Sequence, residues 1–233
     1  MNVTREVVSV LAASALVFCT DTLLAQEGEK SPWFLGVGTG MGVVTHSAPS
    51  LVDYINAASM PMTGQQLDEF SSAVELFIAP EFQISDDWVL TLEYAALLKT
   101  YSITGRGGFQ SEFSYVVHMP TLLLQRLVPG EGYRLKFGGG VGYHVAELEQ
   151  RFPGFGSEDE FAARGFGIML DATGHTQFDE HFFGLIGLNL RWDFPGTLKR
   201  EDGSPVIDRT DQSSPTMNFF AIGFRLGVMF RLN

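Results

Sequence analysis

Two histidines on neighbouring predicted strands are the first candidates for metal chemistry in this chain. If the turn around Gly130 sets the strand register, His144 lies near Val116 and diagonally from His118 on the predicted inner face. Imidazole nitrogens are common ligands of zinc, so a shared metal site is conceivable. Ordinary interior polar residues are the simpler interpretation, and we therefore predict no metal site and no cofactor.

Nucleophilic catalysis would need a hydroxyl within hydrogen-bond distance of a base. Ser114 and His118 share one face of a predicted strand, but four residues of extended chain separate them by about 13 Å. His46 and Ser47 lie in the first predicted long loop and could in principle contribute. Because the pattern holds no nucleophile–base pair, we predict no catalytic residues.

Charged residues alternate with small ones along the inward faces of the predicted strands. Acids and bases nearly balance among them, which favours a paired network over the single sign of charge that an ion-selective pore would carry. A charge buried alone costs several kcal/mol, so each needs a partner. The predicted interior charges are Glu75, Glu81, Glu93, Lys99, Arg126, Arg134, Lys136, Asp171, Arg191, Asp193 and Arg225.

Eight segments that could position these charges alternate between bulky apolar residues and small or charged ones. A period of two indicates strands with two different faces. In the eighth segment the apolar face, predicted to contact lipid, holds Phe220, Ile222, Phe224, Leu226, Val228 and Phe230. The predicted strands are about 33–44, 73–84, 88–100, 113–127, 133–148, 161–176, 181–193 and 220–231. The fourth is the least regular, because both of its faces are partly apolar.

The connections between these segments alternate in length. Short turns are predicted at 85–87, 128–132 and 177–180, and long loops at about 45–72, 101–112, 149–160 and 194–216. In the first loop, Ser50 could cap a short helix over 51–58. Alternating short turns and long loops are typical of outer-membrane barrels, with the short turns on the periplasmic side. We therefore predict an all-β fold: an eight-stranded antiparallel, up-and-down transmembrane β-barrel.

The strands of a soluble barrel with an apolar interior also alternate between apolar and polar residues. The volume of the barrel interior argues against a soluble barrel for this chain. Eight strands enclose a space that side chains just fill. Five or six large apolar residues per strand would overfill it, whereas the glycine, alanine and charged set fits.

The composition excludes several other classes of protein. The net charge of −12 over 233 residues would repel nucleic acid. The apolar run before Cys19 is too short for a membrane helix, and we predict a cleaved signal peptide over 1–25 followed by one barrel domain over 26–233. Cys19 is the only cysteine, so the predicted mature chain has no disulfide and no thiolate metal site.

The chain resembles the small eight-stranded outer-membrane barrels of the OmpA, OmpX and OmpW type. The stretches HMPTLLLQR, ending at Arg126, and YRLKFGGGVGY, ending at Tyr143, resemble the PorT-type outer-membrane barrel group. The resemblance implies a location in the bacterial outer membrane, contact with its lipid and lipopolysaccharide, and insertion by the barrel-assembly machinery. Members usually end on an aromatic residue, and here Phe230 is followed by three more residues.

The loops carry the remaining functional signal. Acidic residues outnumber basic ones there, and aromatic side chains that could contact a partner stand at Tyr54, Phe70, Phe152 and Phe155. Our first hypothesis is a non-enzymatic protein with a structural role or a loop-mediated binding role toward an unknown extracellular ligand. The second is a narrow channel for small or apolar solutes. The third is a lipid-modifying enzyme.

Overall fold

The computed structural model describes residues 34–63, 67, 70–104, 110–152, 157–208 and 212–232. The predicted signal peptide, Trp33 at the start of the first predicted strand, the loop residue Phe155 and the side chain of Phe70 lie outside this description.

Eight antiparallel strands form one closed ring in which every strand pairs with its sequence neighbours and the last strand pairs with the first. The predicted fold class is thereby confirmed. The strands are β1 (Leu35–Ser47), β2 (Phe70–Ser85), β3 (Trp88–Thr104), β4 (Gln110–Gly130), β5 (Tyr133–Phe152), β6 (Ser157–Gln177), β7 (Phe182–Phe194) and β8 (Phe219–Arg231), and one helix, α1 (Pro49–Thr63), follows β1.

The three short turns lie together at one end of the barrel, which we call the turn end. Only two residues separate β2 from β3 and β4 from β5, and the predicted turn positions are confirmed. Helix α1 and the long connection between β7 and β8 lie at the opposite, cap end. In outer-membrane barrels the turn end faces the periplasm.

The outer surface beside the turns is a band of exposed apolar side chains. All eight strands contribute, and each contributes residues two apart, as the alternation predicts. Representative members are Met41, Leu76, Leu92, Leu122, Phe137, Ile168, Leu188 and Phe224. All six residues predicted to face lipid on β8 lie on this outer surface.

The polarity of the two faces inverts along the middle strands toward the cap end. On β5, Phe137 faces out and Lys136 faces in near the turn end, but Arg151 faces out and Leu148 faces in near the cap end. A transmembrane strand needs about 9–11 residues, whereas β4, β5 and β6 have 21, 20 and 21. Their excess length therefore forms a wall beyond the apolar band, with an apolar inside and a polar outside.

Two of the four predicted long loops are wrong for this reason. The gap between β3 and β4 is only residues 105–109, and that between β5 and β6 is only residues 153–156. The sequence around them is polar at every second position, which we interpreted as loop. These positions are instead the outer face of the projecting strands.

An apolar core fills the barrel at the cap end, and we call it the cap core. Leu51 and Ile55 of α1 are 1% and 0% exposed and pack against the inward residues of the projecting strands. The strand and connection side chains of the cap core include Leu97, Phe113, Tyr115, Val117, Leu148, Phe161, Leu198, Val206, Met217 and Phe219. Burial of these groups holds the helix inside the mouth of the barrel.

The predicted helix cap at Ser50 is wrong by two positions, because the residue that precedes the helix is Ala48. Helix α1 begins at Pro49, where the fixed φ of proline suits a first helical turn. The Ser50 hydroxyl instead accepts a hydrogen bond of 2.9 Å from the backbone N–H of Thr216. That bond joins the helix to the connection before β8.

The described part of the connection before β8, residues 195–208 and 212–218, is called the cap segment here. Its Lys199 exchanges two backbone hydrogen bonds with Ala162 of β6, at 2.8 and 2.9 Å. This bridge continues the sheet along the edge of β6 beyond the end of β7. Within the described residues no helix has the length and apolarity required to cross a membrane.

Candidate functional site

Arg225 of β8 is the centre of a buried ion-pair network that crosses the interior of the barrel. Its Nη1 and Nη2 donate to both carboxylate oxygens of Glu93 on β3, at 2.6 and 2.7 Å. Its Nε donates to Glu75 of β2 at 2.6 Å, and Arg191 of β7 donates to the other oxygen of Glu75. The pairing is bidentate and fully buried. Removing one partner would therefore leave a buried charge without a counter-charge and strongly destabilise the fold.

The same network extends toward the turn end through β4, β5 and β6. Lys136 pairs with Glu81, and Gln125 donates to Asp171 at 2.6 Å. Thr91 donates to Gln125 at 2.8 Å. A cavity of about 20 Å³ lies among these side chains, which is room for about one water molecule. The network therefore fills the bore at this level.

Besides Asp193, which pairs with His144, two of the predicted interior charges lie inside the barrel but outside this network. The ammonium of Lys99, near the cap end, donates to the Ser72 carbonyl oxygen at 2.6 Å. The guanidinium of Arg134, near the turn end, lies 4.4 Å from the ring centre of Phe34. Both charges are thus placed where they reach a polar or aromatic partner at an end of the bore.

The prediction that Arg126 faces inward is wrong. Arg126 is exposed on the outer surface of β4, while its neighbours Gln125 and Leu127 are buried inside. The error came from the mixed polarity of β4, in which the turn-end half and the cap-end half follow opposite patterns. The inward residues of β4 are the odd-numbered ones.

The two histidines considered for metal binding lie on opposite sides of the barrel wall. His118 faces outward, where its Nδ1 is 2.7 Å from the hydroxyl of Tyr94, and His144 is fully buried inside. The expectation of a common inner face is therefore wrong. Among the described residues, no group of three His, Cys, Asp or Glu side chains is placed to hold a metal ion.

His144 instead belongs to a linear array of three side chains that resembles a nucleophile–base–acid arrangement. Its Nε2 is 3.2 Å from the Thr121 hydroxyl, and its Nδ1 pairs with Asp193. This is the order of groups found in hydrolases that use a serine or threonine nucleophile. Sequence reasoning placed His144 and Asp193 inside but missed their pairing, because β6 separates their two strands.

The side chains of this array are buried inside the barrel. Thr121, His144 and Asp193 are 2%, 0% and 0% exposed. A Cβ at Gly142 would lie 2.5 Å from His144 Nε2, and one at Gly167 would lie 2.1 Å from its Cε1. The two glycines thus make the space that the imidazole fills. These two glycines are the sequence feature from which the position of the buried His144 ring could have been predicted.

A second polar cluster surrounds His46 where the bore meets the cap core. The Ser71 hydroxyl is 3.3 Å from His46 Nε2 and 2.6 Å from the hydroxyl of Tyr101, and Tyr115 bonds the same imidazole nitrogen. The predicted position of His46 in a loop is wrong, because it lies near the end of β1. The alternation of β1 continues through it with the imidazole inward.

A cavity of about 460 Å³ lies at the cap end beside two of the predicted loop contacts, and we call it the cap cavity. Helix α1, the projecting ends of β5 and β6, and the cap segment form its walls. The Tyr54 hydroxyl donates to Gln150 at 3.0 Å and the Tyr54 ring meets Phe161 edge-on. Its lining is Tyr54, Ala57, Ala58, Gln150, Phe152, Asp159, Phe161, Arg200, Val206, Ile207 and Asp208.

An open depression of about 530 Å³ adjoins this cavity and is lined mainly by carboxylates. We call it the acidic shelf; its residues are Glu158, Asp159, Glu160, Phe161, Arg200, Glu201 and Asp202. Asp159, Phe161 and Arg200 belong to both features. Hydrogen bonds from Ser204 lower the pKa of Asp202, so this carboxyl is charged at neutral pH. The surface beside the cap cavity is therefore strongly negative.

The structure thus brings two of the four predicted loop contacts, Tyr54 and Phe152, to one cavity. It adds Phe161, Arg200 and Asp208, which the sequence did not single out. The bridge between Lys199 and Ala162 places the cap segment beside β6. No local sequence pattern predicts this bridge.

Comparison with known proteins identifies similar strand arrangements only. No family model matches the sequence, and no curated protein matches it either. The chain is similar to the Ail protein of Yersinia pestis, solved with the heparin analogue sucrose octasulfate, at 12% identity over 86% of this chain and 97% of that chain (TM-score 0.44). It is similar to Neisserial surface protein A at 7% identity over 87% and 98% (TM-score 0.48), and to OprG of Pseudomonas aeruginosa at 12% over 88% and 98% (TM-score 0.49).

The class of protein follows from the surfaces of the barrel itself. A closed ring of strands satisfies its own backbone hydrogen bonds, which is the condition for crossing a bilayer with β-structure. An apolar band surrounds the ring and a polar network fills it. The protein is an eight-stranded outer-membrane β-barrel, embedded in the lipid of that membrane.

Proposed function

We propose that the protein is a non-conducting, non-enzymatic barrel that anchors a binding surface at the cell exterior. The observation that carries this proposal is the closure of the bore by the network around Arg225, with space for about one water molecule. A second closure lies above it, because the cap core and helix α1 occupy the mouth.

Three contacts argue against the channel alternative. The guanidinium of Arg225 spans from Glu75 to Glu93, and Arg191 holds Glu75 from the other side. Moving an ion through the bore would require these pairs to separate and leave buried charges without partners, which costs several kcal/mol.

The proposal that the protein is not an enzyme is supported by the burial of the Thr121–His144–Asp193 array. A substrate carbonyl would have to approach the Thr121 hydroxyl, and this residue is 2% exposed. We infer that the array stabilises the interior by satisfying polar groups between β4, β5 and β7. Replacement of Thr121 by Val should change stability and leave any measured esterase activity at background.

The test of the closed bore is conductance of the purified full chain in planar lipid bilayers. We expect no steady conductance from the wild-type protein. The variant Arg126→Ala, which removes an exposed outer charge, is the matched control and should be equally silent. Steady conductance in the wild type that changes on replacement of Glu93 by Gln would overturn the proposal and favour a channel.

We also propose that lipopolysaccharide contacts the outer ends of the strands and that the barrel-assembly machinery inserts the chain. The side chain of Phe230 is exposed on the lipid face near the end of β8, where it could act as a displaced aromatic signal. Replacing Phe230 by Ala should lower the amount of folded protein in the outer membrane, while Phe178→Ala at an exposed turn should not. Equal yields of the two variants would contradict this part.

A further inference from the structure

We propose that the cap cavity binds a small organic cation, an amine with an apolar body, whose charge lies at the acidic shelf. This inference deepens the proposed function and rests on it, because it names the class of ligand for the binding surface.

The size and lining of the cap cavity favour an organic ligand. A volume of about 460 Å³ lies within the usual range of about 300–1,000 Å³ for small-molecule sites. Three aromatic rings, from Tyr54, Phe152 and Phe161, line it together with small and aliphatic groups. Such walls gain free energy by covering apolar surface of a ligand.

The aromatic walls are held in place by the fold. The hydrogen bond from Tyr54 to Gln150 joins helix α1 to β5, and Gln150 is 5% exposed. Phe161 is 7% exposed and belongs to the cap core, so its ring has packing on the side away from the cavity. A wall that is already ordered loses little conformational entropy when a ligand binds.

The charges around the opening select for a cation. Asp159 and Asp208 line the cavity, and the acidic shelf adds four more carboxylates: Glu158, Glu160, Glu201 and Asp202. Arg200 is the one basic residue among the described residues that line either feature. Its Nη1 donates to the Pro205 carbonyl oxygen at 3.0 Å, which directs part of the guanidinium back to its own segment.

Carboxylates beside aromatic faces form the environment that an alkylammonium group prefers. The ammonium gains from the negative face of a ring and from the nearby carboxylates together. An anion of the same shape would be repelled by the shelf, and a neutral isostere would gain only the apolar contacts. This ordering of cation, neutral molecule and anion is specific to the proposed ligand class.

The experiment is calorimetric titration of the full chain in lipid nanodiscs with three matched indoles. These are tryptamine, a cation; tryptophol, a neutral alcohol; and indole-3-acetate, an anion. We expect tryptamine to bind about tenfold more tightly than tryptophol, which corresponds to about 1.4 kcal/mol, and indole-3-acetate to bind most weakly. Empty nanodiscs give the partitioning background.

Two variants locate the binding. Asp159→Asn removes an exposed carboxylate and should lower tryptamine affinity toward that of tryptophol, while leaving tryptophol unchanged. Ala57→Phe narrows the cavity and should weaken both ligands. Asp86→Asn, which removes an exposed carboxylate at the turn end, is the matched control and should change neither affinity.

Several outcomes would overturn the inference. They are equal affinity for all three indoles, no binding of tryptamine above the background of empty nanodiscs, and tryptamine binding that neither Asp159→Asn nor Ala57→Phe changes. If tryptophol bound more tightly than tryptamine, the preferred ligand would be a neutral molecule and not a cation. Each outcome is independent of the conductance measurement, so a wrong ligand class and an open bore give different results.

Discussion

The interior of this barrel is filled in two different ways, and the difference lies along the same strands. Near the turn end, β2 directs Glu81 to its partner Lys136 in the ion-pair network, and the outside is apolar. Near the cap end, β4 directs Phe113 and Val117 into an apolar core, and the outside is polar. The first arrangement suits lipid outside, and the second suits water.

The comparison shows that the solvent outside decides which face of a strand is apolar. In lipid, the large apolar residues must face out, so the bore receives the charges and the glycines. In water, the hydrophobic effect places the same residue types inside. A strand that leaves the membrane therefore inverts its pattern without changing its hydrogen bonding, and the inversion marks the membrane boundary.

The largest effect should come from a charge placed in the cap core. Val117 is 0% exposed among apolar side chains, so Val117→Lys buries an ion without a partner, at a cost of several kcal/mol. We expect loss of the folded barrel, measured as loss of heat-dependent migration on gels. The matched control is Val116→Lys, one residue away on the outer face and opposite Glu147, which should fold. If both variants folded, the inside of the barrel at the cap end could not be an apolar core, and the polarity of β4 would not invert.

The next effect tests the polar half of the interior. Arg225→Ala leaves Glu75 and Glu93 buried without their shared cation, so we expect a loss of about 3 to 5 kcal/mol in the free energy of unfolding. Urea unfolding in lipid vesicles measures it. Arg126→Ala removes the same charge from the exposed outer face and should cost less than about 0.5 kcal/mol. Similar losses in the two variants would contradict the assigned faces of β4 and β8.

A smaller effect is expected from the helix. Leu51→Ala removes a side chain that is 1% exposed in the cap core and should cost roughly 2 to 4 kcal/mol. Hydrogen exchange should show faster exchange at the Thr216 amide, which bonds Ser50 on the same helix. The control Asp53→Ala changes an exposed residue of α1. If Leu51→Ala accelerated exchange equally around Arg225, the two halves of the interior would unfold as one.

The smallest effect concerns one hydrogen bond at the cap cavity. Tyr54→Phe removes the donor to Gln150 and keeps the ring on Phe161, so we expect a loss of about 0.5 to 1.5 kcal/mol. The exposed Tyr133 at the turn end provides the control, as Tyr133→Phe. Indistinguishable unfolding curves for the two variants would show that this bond contributes little to the cap.

The fold was predictable from the sequence because lipid imposes a simple rule on each strand separately. Eight periods of two and three short turns were enough for the number and order of the strands and for most inward charges. The same rule failed on β4 and placed Arg126 on the wrong face, because the inversion of polarity falls within that strand. It also shortened β3, β5 and β6, whose polar outer residues resemble a loop.

The candidate site was much less predictable. Tyr54 and Phe152 stood out as loop aromatics, but their common cavity with Phe161 and Arg200 depends on the docking of α1 and the cap segment. Likewise, no local pattern links His144 of β5 with Asp193 of β7. Contacts between distant segments depend on register and packing, which a period of two does not encode.

The sequence by itself determined that this chain forms a membrane barrel with a charged, nearly balanced interior. The alternation of apolar and polar residues, the turn residues and the number of strands are local properties of the sequence. Lipid requires the apolar residues of each strand to face outward, so these local properties suffice to predict the barrel. The tertiary structure alone decided that one arginine spans the bore between two carboxylates, and that the mouth holds an apolar core with an acidic cavity beside it. Those features require side chains from strands far apart in the chain to meet, and only the closed ring with its register brings them together.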